Sequence, residues 1–480
     1  MRIACLGGGP AGLYFAISMK LRDSSHEIDV IERNRADDTF GWGVVLSDET
    51  LQNLAVNDAV SAKAIGENFA YWDDIALHMR GERLVSTGHG FCGIGRMKLL
   101  LLLQERAREL GINLKFETEV DSAEDYRKDY DLVVASDGLN SKTRTLYQDT
   151  FKPDIDQRLC QFVWLGTHQK FADAFTFIFE ETEHGWVWAH AYQFDDETAT
   201  FIVECTQETF DAFGFGEMSQ EDSIRTCEEI FKDHLGGHPL MTNAKHIRGS
   251  AWIRFPRVLC EKWSHENVVL LGDAAATAHF SIGSGTKLAF ESAIALAEYL
   301  HTEADMAAAF KRYEEDRRLE VLRLQSAARN SLEWFDHVER YLHLDPVQFN
   351  YSMLTRSQRI SHENLRLRDP KWLESAERWF MNQAGVSPNS PVRAPMFTPF
   401  KLREMELKNR IVVSPMAQYK AVDGLPTDWH MVHYAERAKG GAGLVFVEMT
   451  CVSAEGRITP GCPGLYAPEH EAAWKRLTDF

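Results

Sequence analysis

The sequence predicts an α/β protein, and two kinds of pattern predict it. Apolar strands alternate with helical segments at both ends of the chain, starting with strand, glycine-rich turn, helix and strand over residues 2–33. Between about 160 and 255 the apolar period changes to two, which is typical of antiparallel strands. A buried strand returns at 267–275, and helical patterns fill 286 to about 384. We therefore expect a Rossmann-like domain with an inserted, mostly antiparallel sheet and C-terminal helices.

Length and composition are those of an ordinary globular protein. The chain has 480 residues, of which 44% are hydrophobic and 26% are charged. The formal net charge of −19 argues against nucleic acid or a membrane surface as a partner. No apolar run reaches the roughly 20 residues of a membrane span, and a strand pattern rather than a leader begins at Arg2. The eight cysteines are scattered, so we expect reduced thiols, no metal site and a cytoplasmic protein.

The first turn of the chain carries a dinucleotide-binding pattern. In GGGPAG, Gly7 permits a tight turn, Gly9 lets a pyrophosphate approach the backbone, and Gly12 lets helix and strand pack closely. The helix that follows directs the positive end of its dipole at the phosphates. Glu32 ends the second strand, where an acid binds ribose hydroxyls. The candidate cofactor-binding residues of this segment are Gly7, Gly9, Pro10, Ala11, Gly12, Glu32 and Arg33.

Two further segments indicate a flavin cofactor. They are DLVVASDGLNSKTR, at 131–144, and VVLLGDAAATAHFSIGSGTKLA, at 268–289. Together with the glycine-rich turn, in this order, they resemble the class A flavoprotein aromatic hydroxylases. The resemblance implies that these segments bind FAD, that NAD(P)H is a co-substrate, and that an Arg in GRMKLLLLL lies near the FAD chain. The candidate residues it adds are Arg96, Asp137, Gly138, Gly272, Asp273, Gly283 and Gly285.

Two stretches narrow the resemblance. AHFSIGSGTKLA, at 278–289, and FGWGVVLSDETL, at 40–51, resemble the hydroxylases that act on aryl-CoA thioesters. The resemblance implies that reduced FAD and O2 give a flavin C4a-hydroperoxide, which hydroxylates salicylyl-CoA or 2-aminobenzoyl-CoA at ring carbon 5. A homodimer is compatible with it. The chain departs from the wider family at Ala276 and Phe280, where a His and a Pro are usual.

Other functions stay open at this point. A hydroxylase of a free aromatic acid, such as salicylate, would show the same flavin motifs. A non-catalytic FAD-binding fragment of a bifunctional enzyme is the alternative from a different class. A flavin-dependent halogenase is disfavoured, because GWVWAHAY, at 185–192, has the Trp-x-Trp of that group without the Ile-Pro that follows it.

The strand GWVWAHAYQF predicts one wall of the substrate pocket. Period two places Trp186, Trp188, His190 and Tyr192 on one face, and an aromatic face can hold an aryl ring. The alternative is that this face only packs against a neighbouring element. The candidate substrate-binding residues are Trp186, Trp188 and Phe280, and the candidate catalytic residues are His279, His190 and Tyr192.

A Pro- and Ser-rich stretch at 385–395 predicts a linker, so we predict domains at 1–384, with the inserted sheet at about 155–260, and at 396–480. Residues 396–480 resemble the first two βα units of the old yellow enzyme type of (β/α)8 barrel. The resemblance places flavin contacts at Ser414, Pro415, Met416 and Glu448. A complete barrel takes roughly 200–250 residues. FMN is therefore expected only in a complete barrel and not in this chain, and the incomplete barrel is expected to expose an apolar edge.

Overall fold

The computed structural model describes residues 1–39, 41–243, 251–283 and 285–480. Phe40 and Ser284, which belong to two of the motif stretches above, lie outside the described residues. The chain divides into two compact units, an N-terminal unit, Met1–Asp369, and a C-terminal unit, Pro370–Phe480. Among the described residues we find no helix that combines the length and the apolarity of a membrane span.

The N-terminal unit contains the strands β1 (Arg2–Leu6), β2 (Glu27–Ile31), β3 (Gly43–Leu46), β4 (Ala70–Trp72), β5 (Asp74–Met79), β6 (Glu82–Ser86), β7 (Phe91–Gly95), β8 (Asn113–Lys115), β9 (Leu132–Ala135), β10 (Pro153–Thr167), β11 (Ala174–Thr182), β12 (Gly185–Gln193), β13 (Ala199–Cys205), β14 (Leu240–Met241), β15 (Ile253–Cys260), β16 (Ser264–His265) and β17 (Val268–Leu270). Its helices are α1 (Pro10–Arg22), α2 (Asp48–Asn57), α3 (Ala59–Gly66), α4 (Arg96–Glu109), α5 (Glu124–Arg127), α6 (Lys142–Leu146), α7 (Gln148–Phe151), α8 (Gln207–Phe213), α9 (Gln220–Ile230), α10 (Gly285–Thr302), α11 (Met306–Asp336), α12 (Pro346–Thr355) and α13 (His362–Arg368). The C-terminal unit contains α14 (Pro370–Gln383), β18 (Phe400–Leu402), β19 (Met405–Leu407), β20 (Val412–Val413), α15 (Asp428–Lys439), β21 (Leu444–Val445) and α16 (Pro468–Asp479).

The first sheet is the nucleotide-binding sheet that the sequence predicts. Its strand order is β16-β17-β9-β1-β2-β8, and the pairs β1–β2, β1–β9, β2–β8 and β9–β17 are parallel. The central strands β1 and β9 are apolar and buried along nearly their whole length, as expected for strands inside a parallel sheet. Helices α1 and α10 contribute to the same core cluster. The prediction of a Rossmann-like domain is confirmed.

The second sheet contains the predicted antiparallel strands, β10 to β15, together with β5 and β6, which precede the predicted insertion at about 155–260. Its order is β14-β10-β13-β12-β11-β5-β6, and β15 also pairs with β10. The pairs β10–β13, β11–β12 and β12–β13 are antiparallel, whereas β5 and β11 run parallel. One face is aliphatic at Val187, Ala189 and Ala191, and it packs in a core cluster with residues of α8 and α9. The opposite face carries the aromatic residues discussed below.

The C-terminal unit begins as the barrel resemblance implies. Strands β20 and β21 pair in parallel and helix α15 connects them, which is one βα unit followed by the next strand. Val412, Phe446 and Val447 are 47%, 49% and 39% exposed, so apolar side chains at this pair of strands face water. Glu448 is buried; it accepts hydrogen bonds from the Gln418 amide at 2.9 Å and from the Tyr434 hydroxyl at 3.1 Å. Its carboxylate is therefore already used inside the unit.

Buried neutral histidine makes the N-terminal unit sensitive to acid. Burial, together with the nearby charge of Arg368, lowers the pKa of His89 to about 4, whereas an unfolded chain titrates near 6.5. As the pH falls below 6.5, His89 binds a proton in the unfolded chain but stays unprotonated in the folded chain. Stability is therefore lost toward acid, by up to about 1.4 kcal/mol per pH unit and per group, until the pH reaches about 4.

We expect His89→Gln to reduce this acid sensitivity. Between about pH 6.5 and about pH 5 the variant should lose about 2 kcal/mol less unfolding free energy than the wild type, because glutamine does not titrate. Glutamine can still bond Ser86, whose hydroxyl lies 3.0 Å from His89 Nε2. Urea unfolding at both pH values measures the difference. Equal pH dependence in the two proteins would contradict a neutral, buried His89.

Candidate active site

The glycine-rich turn is closed toward the protein and open on its outer side. Gly7 has φ +112, and a Cβ added there would lie 2.3 Å from the Ser136 carbonyl oxygen. A Cβ on Gly12 would lie 2.3 Å from the Gly7 carbonyl oxygen, so this glycine allows α1 to pack against the sheet. A Cβ on Gly9, in contrast, meets no atom within 4 Å. The open space in front of Gly9 suits a pyrophosphate that must approach the backbone.

Glu32 is fixed beside this turn. Its Oε2 accepts the Gly8 amide at 2.8 Å and its Oε1 accepts the Asn34 amide at 2.8 Å. Each carboxylate oxygen keeps a second lone pair that a ribose hydroxyl can use. Helix α1 starts at Pro10 and Ala11, and no described side chain caps its N-terminus, so its positive end is available to a phosphate. Arg33, the remaining candidate of this segment, is exposed.

Asp137 and Gly138 lie in the turn after β9. The Asp137 Oδ2 accepts the Thr143 amide at 3.0 Å, whereas its Oδ1 is buried and has no hydrogen-bond partner in the described structure. Gly138 has φ +77, and a Cβ there would meet no atom within 4 Å. A buried acceptor without a partner is costly. A ligand that donates a hydrogen bond at this open turn would satisfy it.

Arg96 and Asp273 form an electrostatic pair of opposite charge. The Arg96 amide donates to the Trp42 carbonyl at 2.7 Å and its Nε to Thr39 Oγ1 at 3.2 Å, which fixes the start of α4. Burial lowers the pKa of Arg96, and the charge of Asp273 raises it. Desolvation by the surrounding protein raises the pKa of the Asp273 carboxyl, while the positive charges of Arg96 and Arg144 lower it. The side chain of Asp273 nevertheless remains exposed, where a polar ligand chain can reach it.

These four groups of residues fit FAD. Gly9 and Gly138 leave open space, Asp137 offers an unpaired acceptor, Glu32 retains acceptor capacity, and Asp273 is reachable. The remaining candidates lie in the segment after β17: Gly272, at φ +65, Gly283, at φ +62, and Gly285, which begins α10. Their individual contacts with the cofactor stay predictions.

The structure places Trp188, His190 and Tyr192 together on the buried face of β12, as period two predicts. Trp188 is 0% exposed and His190 is 1% exposed. The His190 ring lies 5.1 Å from the rings of Phe177 and Phe335, measured between centroids. Trp186, at the start of the strand, is only half-buried, and its ring lies 5.8 Å from the Arg80 guanidinium. The aromatic wall is therefore centred on Trp188 and His190.

Glu204, which faces this wall from β13, is not among the site residues predicted from the sequence. Glu204 pairs with Trp188 in the sheet register and is 1% exposed. Its Oε2 lies 2.8 Å from Trp188 Nε1 and 2.9 Å from His190 Nε2. The signal was present in TATFIVEC, at 198–205, where an acid interrupts an apolar strand that must be buried on both faces.

The loop 278–283 brings His279 and Phe280 to the same wall. The Phe280 ring lies 5.7 Å from the His190 ring and 4.7 Å from the Phe162 ring. His279 accepts the Ser281 amide at Nδ1, at 3.2 Å. Burial, and also the positive charges of Arg158 and Arg356, hold the pKa of His279 well below its usual range. The neutral ring therefore carries its proton on Nε2 and is a hydrogen-bond donor there.

Arg356 joins the loop to the wall. Its Nη2 donates to the Ser281 carbonyl at 3.0 Å and its Nε to Ser331 Oγ at 2.9 Å. The guanidinium carbon lies 5.1 Å from the Phe177 ring and 5.2 Å from the Phe335 ring. Burial lowers the pKa of Arg356 to about 10, and the charge of Glu204 raises it. The half-buried Arg356 cation and the buried Glu204 carboxylate thus place opposite charges near His190.

Tyr192 has a partner that suggests a structural role. Its hydroxyl donates to the Gly43 carbonyl at 2.8 Å, and its ring stacks at 5.1 Å on Phe175.

We expect Tyr192→Phe to destabilise the protein by about 1–3 kcal/mol, because a buried carbonyl loses its donor. Turnover should change less than about threefold. Urea unfolding and steady-state rates measure both, and a 100-fold loss of turnover in a stable variant would restore the catalytic role that the sequence predicts.

Comparison with known proteins agrees with this geometry. Residues 1–328 match the family described as FAD binding domain, and residues 395–480 match the NADH:flavin oxidoreductase / NADH oxidase family. A salicyloyl-CoA 5-hydroxylase from Streptomyces sp is 41% identical over 426 residues, covering 86% of this chain and 79% of that protein. A 3-hydroxy-4-methyl-anthranilyl-[aryl-carrier protein] 5-monooxygenase from Streptosporangium sibiricum is 34% identical over 335 residues, covering 70% of this chain and 89% of that protein.

Solved structures share the fold. One of 2-methyl-3-hydroxypyridine-5-carboxylic acid oxygenase superposes with a TM-score of 0.57 at 17% identity, covering 77% of this chain and 99% of that one. At that identity the likeness establishes the fold alone. It supports the assignment of both sheets of the N-terminal unit to one architecture.

Proposed function

The chain belongs to the FAD binding domain family, and from that premise we propose that it hydroxylates the ring of an aryl-CoA thioester at carbon 5. It is an FAD-dependent aromatic monooxygenase that uses NAD(P)H. Salicylyl-CoA and 2-aminobenzoyl-CoA are the proposed substrates. Two relatives support a thioester, because the name of one specifies a CoA ester and that of the other a carrier-protein ester, both oxidised at position 5.

When bound, FAD would supply the redox chemistry, which is hydride acceptance from NAD(P)H and transfer of one oxygen atom of O2 to the ring. The chain must hold the FAD, orient the ring and exclude water. We assign FAD binding to the glycine-rich turn, Glu32, Asp137, Arg96 and Asp273, whose fit is described above. The C-terminal unit, which carries the start of a second flavin fold, has no role in this proposal.

The ring chemistry requires electron density at carbon 5. A 2-hydroxy or 2-amino substituent lies para to that carbon and donates density to it, and loss of the hydroxyl proton increases the donation. In the proposal His190 accepts this proton at Nδ1, and His279 Nε2–H donates to the oxygen that bears the resulting charge. Phe280 and Trp188 supply apolar walls for the ring. The adjacent Arg356 adds positive charge near the developing anion.

The observation that carries the proposal is the polar pair His190–Glu204 inside the aromatic wall. His190 is 1% exposed, lies between Phe177, Phe280 and Phe335, and belongs to the same cluster as the loop after the flavin motif. A fully apolar wall would pack as well without an imidazole. An ionisable group with a buried charged partner, placed next to a cofactor loop, is typical of a catalytic site.

A comparison of thioester with free acid tests the substrate class. The FAD-loaded protein is given NADH and NADPH in air with salicylyl-CoA, 2-aminobenzoyl-CoA, or the corresponding free acids. We expect a thioester to accelerate NAD(P)H oxidation and to yield a stoichiometric hydroxylated product, whereas the acids do neither. Hydroxylation of free salicylate at a higher kcat/KM than its thioester would overturn the proposed substrate. The homodimer and the cytoplasmic location stay predictions.

A further inference from the structure

Glu204 is a carboxylate in a buried position, where its charge would ordinarily destabilise the fold. It is 1% exposed, and its neighbours in the register of the adjacent strands are the aromatic residues Trp188 and Phe162. Burying a carboxylate costs several kcal/mol unless its oxygens are hydrogen-bonded and its charge is balanced. Both compensations are present, since Trp188 Nε1 and His190 Nε2 lie within hydrogen-bond distance of Oε2 and the charge of Glu204 acts on Arg356. Such an arrangement indicates that the charge serves the neighbouring imidazole.

The hydrogen bonds dictate the tautomer of His190. An ionised carboxylate only accepts, so the neutral ring carries its proton on Nε2, which lies 2.9 Å from Glu204 Oε2. The Nδ1 lone pair is then available, and no described residue forms a hydrogen bond with it. Trp188 donates to the same carboxylate oxygen and holds it in place. The three surrounding phenylalanine rings restrict rotation of the imidazole.

We propose that Glu204 is the positioning residue that fixes His190 with its basic Nδ1 directed at the substrate hydroxyl. This rests on the proposed function. One proton moves from the hydroxyl oxygen to Nδ1 before oxygen transfer, while the Nε2–H stays on Glu204. The carbon that gains oxygen releases its own proton when aromaticity returns, and this proton leaves with the second oxygen atom of O2 as water. The proton on Nδ1 returns to the product oxygen, and His190 ends neutral, as it began.

Other charged and titratable groups face the His190–Glu204 pair, and none of them is changed in the variant that tests it. They are His279 from the flavin loop, Arg356 at the end of α12, and Arg158 and Cys160 of β10. Arg158 forms an ion pair with Asp336 at 2.5 Å. Burial, followed by the charge of Glu204, raises the pKa of the Cys160 thiol well above its usual range, so this thiol stays protonated.

Nuclear magnetic resonance of histidine nitrogens tests the positioning directly and needs no substrate. Protein labelled with ¹⁵N at histidine is compared as wild type and as Glu204→Gln, a variant of equal shape without charge. We expect a protonated Nε2 and an unprotonated Nδ1 at His190 in the wild type, and a loss of this single tautomer in the variant. A protonated Nδ1 in the wild type, or identical His190 signals in both proteins, would overturn the proposal.

Activity provides the second readout. With salicylyl-CoA, Glu204→Gln should lower the hydroxylation rate about 100-fold near neutral pH, and the deficit should shrink as rising pH ionises the hydroxyl without help. FAD content should not change. A matched control is Glu180→Gln, which neutralises another carboxylate–histidine pair of the same sheet, Glu180–His234, at 2.7 Å. A deficit that is equal at every pH and accompanied by lost FAD would mean a structural role only.

The two proposals fail differently. If the wild type oxidises NAD(P)H but adds no oxygen to either thioester, the proposed function fails, while the histidine signals still decide the role of Glu204. If the wild type hydroxylates a thioester and Glu204→Gln matches it at every pH, the proposed function stands and the positioning role is wrong.

Discussion

Gly9→Val is expected to weaken FAD binding at least about 100-fold, equal to about 2.7 kcal/mol, while leaving the fold intact. An added Cβ at Gly9 meets no protein atom within 4 Å, so valine has room in the cofactor-free protein. Its backbone, at φ −74 and ψ 178, is one that valine adopts without strain. The branched side chain would instead fill the space that the pyrophosphate needs. The effect therefore falls on the cofactor alone.

Fluorescence titration with FAD and thermal unfolding of the cofactor-free protein measure the two halves of this prediction. Gly66→Ala is the matched control, because its added Cβ would make only ordinary contact with Leu51, at 3.5 Å, and lies outside the glycine-rich turn. The control should bind FAD as the wild type does. Wild-type FAD affinity in Gly9→Val would contradict the placement of the pyrophosphate at this turn.

His190→Gln is expected to lower hydroxylation about 100-fold to 10,000-fold, the range of a lost general base, while NAD(P)H oxidation continues. Glutamine can still donate to Glu204 from its amide nitrogen, so the buried carboxylate keeps its partner. The variant lacks a basic nitrogen toward the substrate. Reducing equivalents should then leave as hydrogen peroxide instead of appearing in hydroxylated thioester.

The ratio of hydroxylated thioester to NAD(P)H consumed measures this uncoupling. His168→Gln serves as the control: His168 is exposed just beyond β10, and its Nδ1 lies 3.1 Å from the Glu197 carbonyl oxygen. That variant should remain coupled. Full coupling in His190→Gln, with a rate near that of the wild type, would exclude His190 as the base.

The nucleotide-binding part could be predicted from sequence because its signals are local. Gly7, Gly9 and Gly12 are dictated by a backbone turn between adjacent elements, and the structure gives each the environment its position implies. The aromatic wall was predictable for a similar reason, since period two alone places Trp188 and His190 on one face of β12.

The rest depends on contacts between distant segments. Nothing in GWVWAHAYQF shows that Glu204 lies across the strand pair, because register is set by the whole sheet. Tyr192 donates to Gly43, 149 positions away, which no local pattern reveals. The segment LKFETEV, at 114–120, has the pattern of a seven-residue strand, but β8 ends at Lys115. Glu117 has φ +52, and its amide bonds the Asn34 carbonyl at 3.1 Å, which turns the chain away from the sheet.

Product mass after turnover under ¹⁸O2 decides whether this protein hydroxylates an aryl-CoA thioester. The FAD-loaded protein is supplied with NAD(P)H and salicylyl-CoA or 2-aminobenzoyl-CoA. Mass spectrometry then gives the mass of the recovered thioester, and the ring position of any added oxygen atom is assigned. We expect one ¹⁸O atom at carbon 5 of at least one thioester. Unchanged thioester during rapid NAD(P)H oxidation, or oxygen that comes from water, would contradict it.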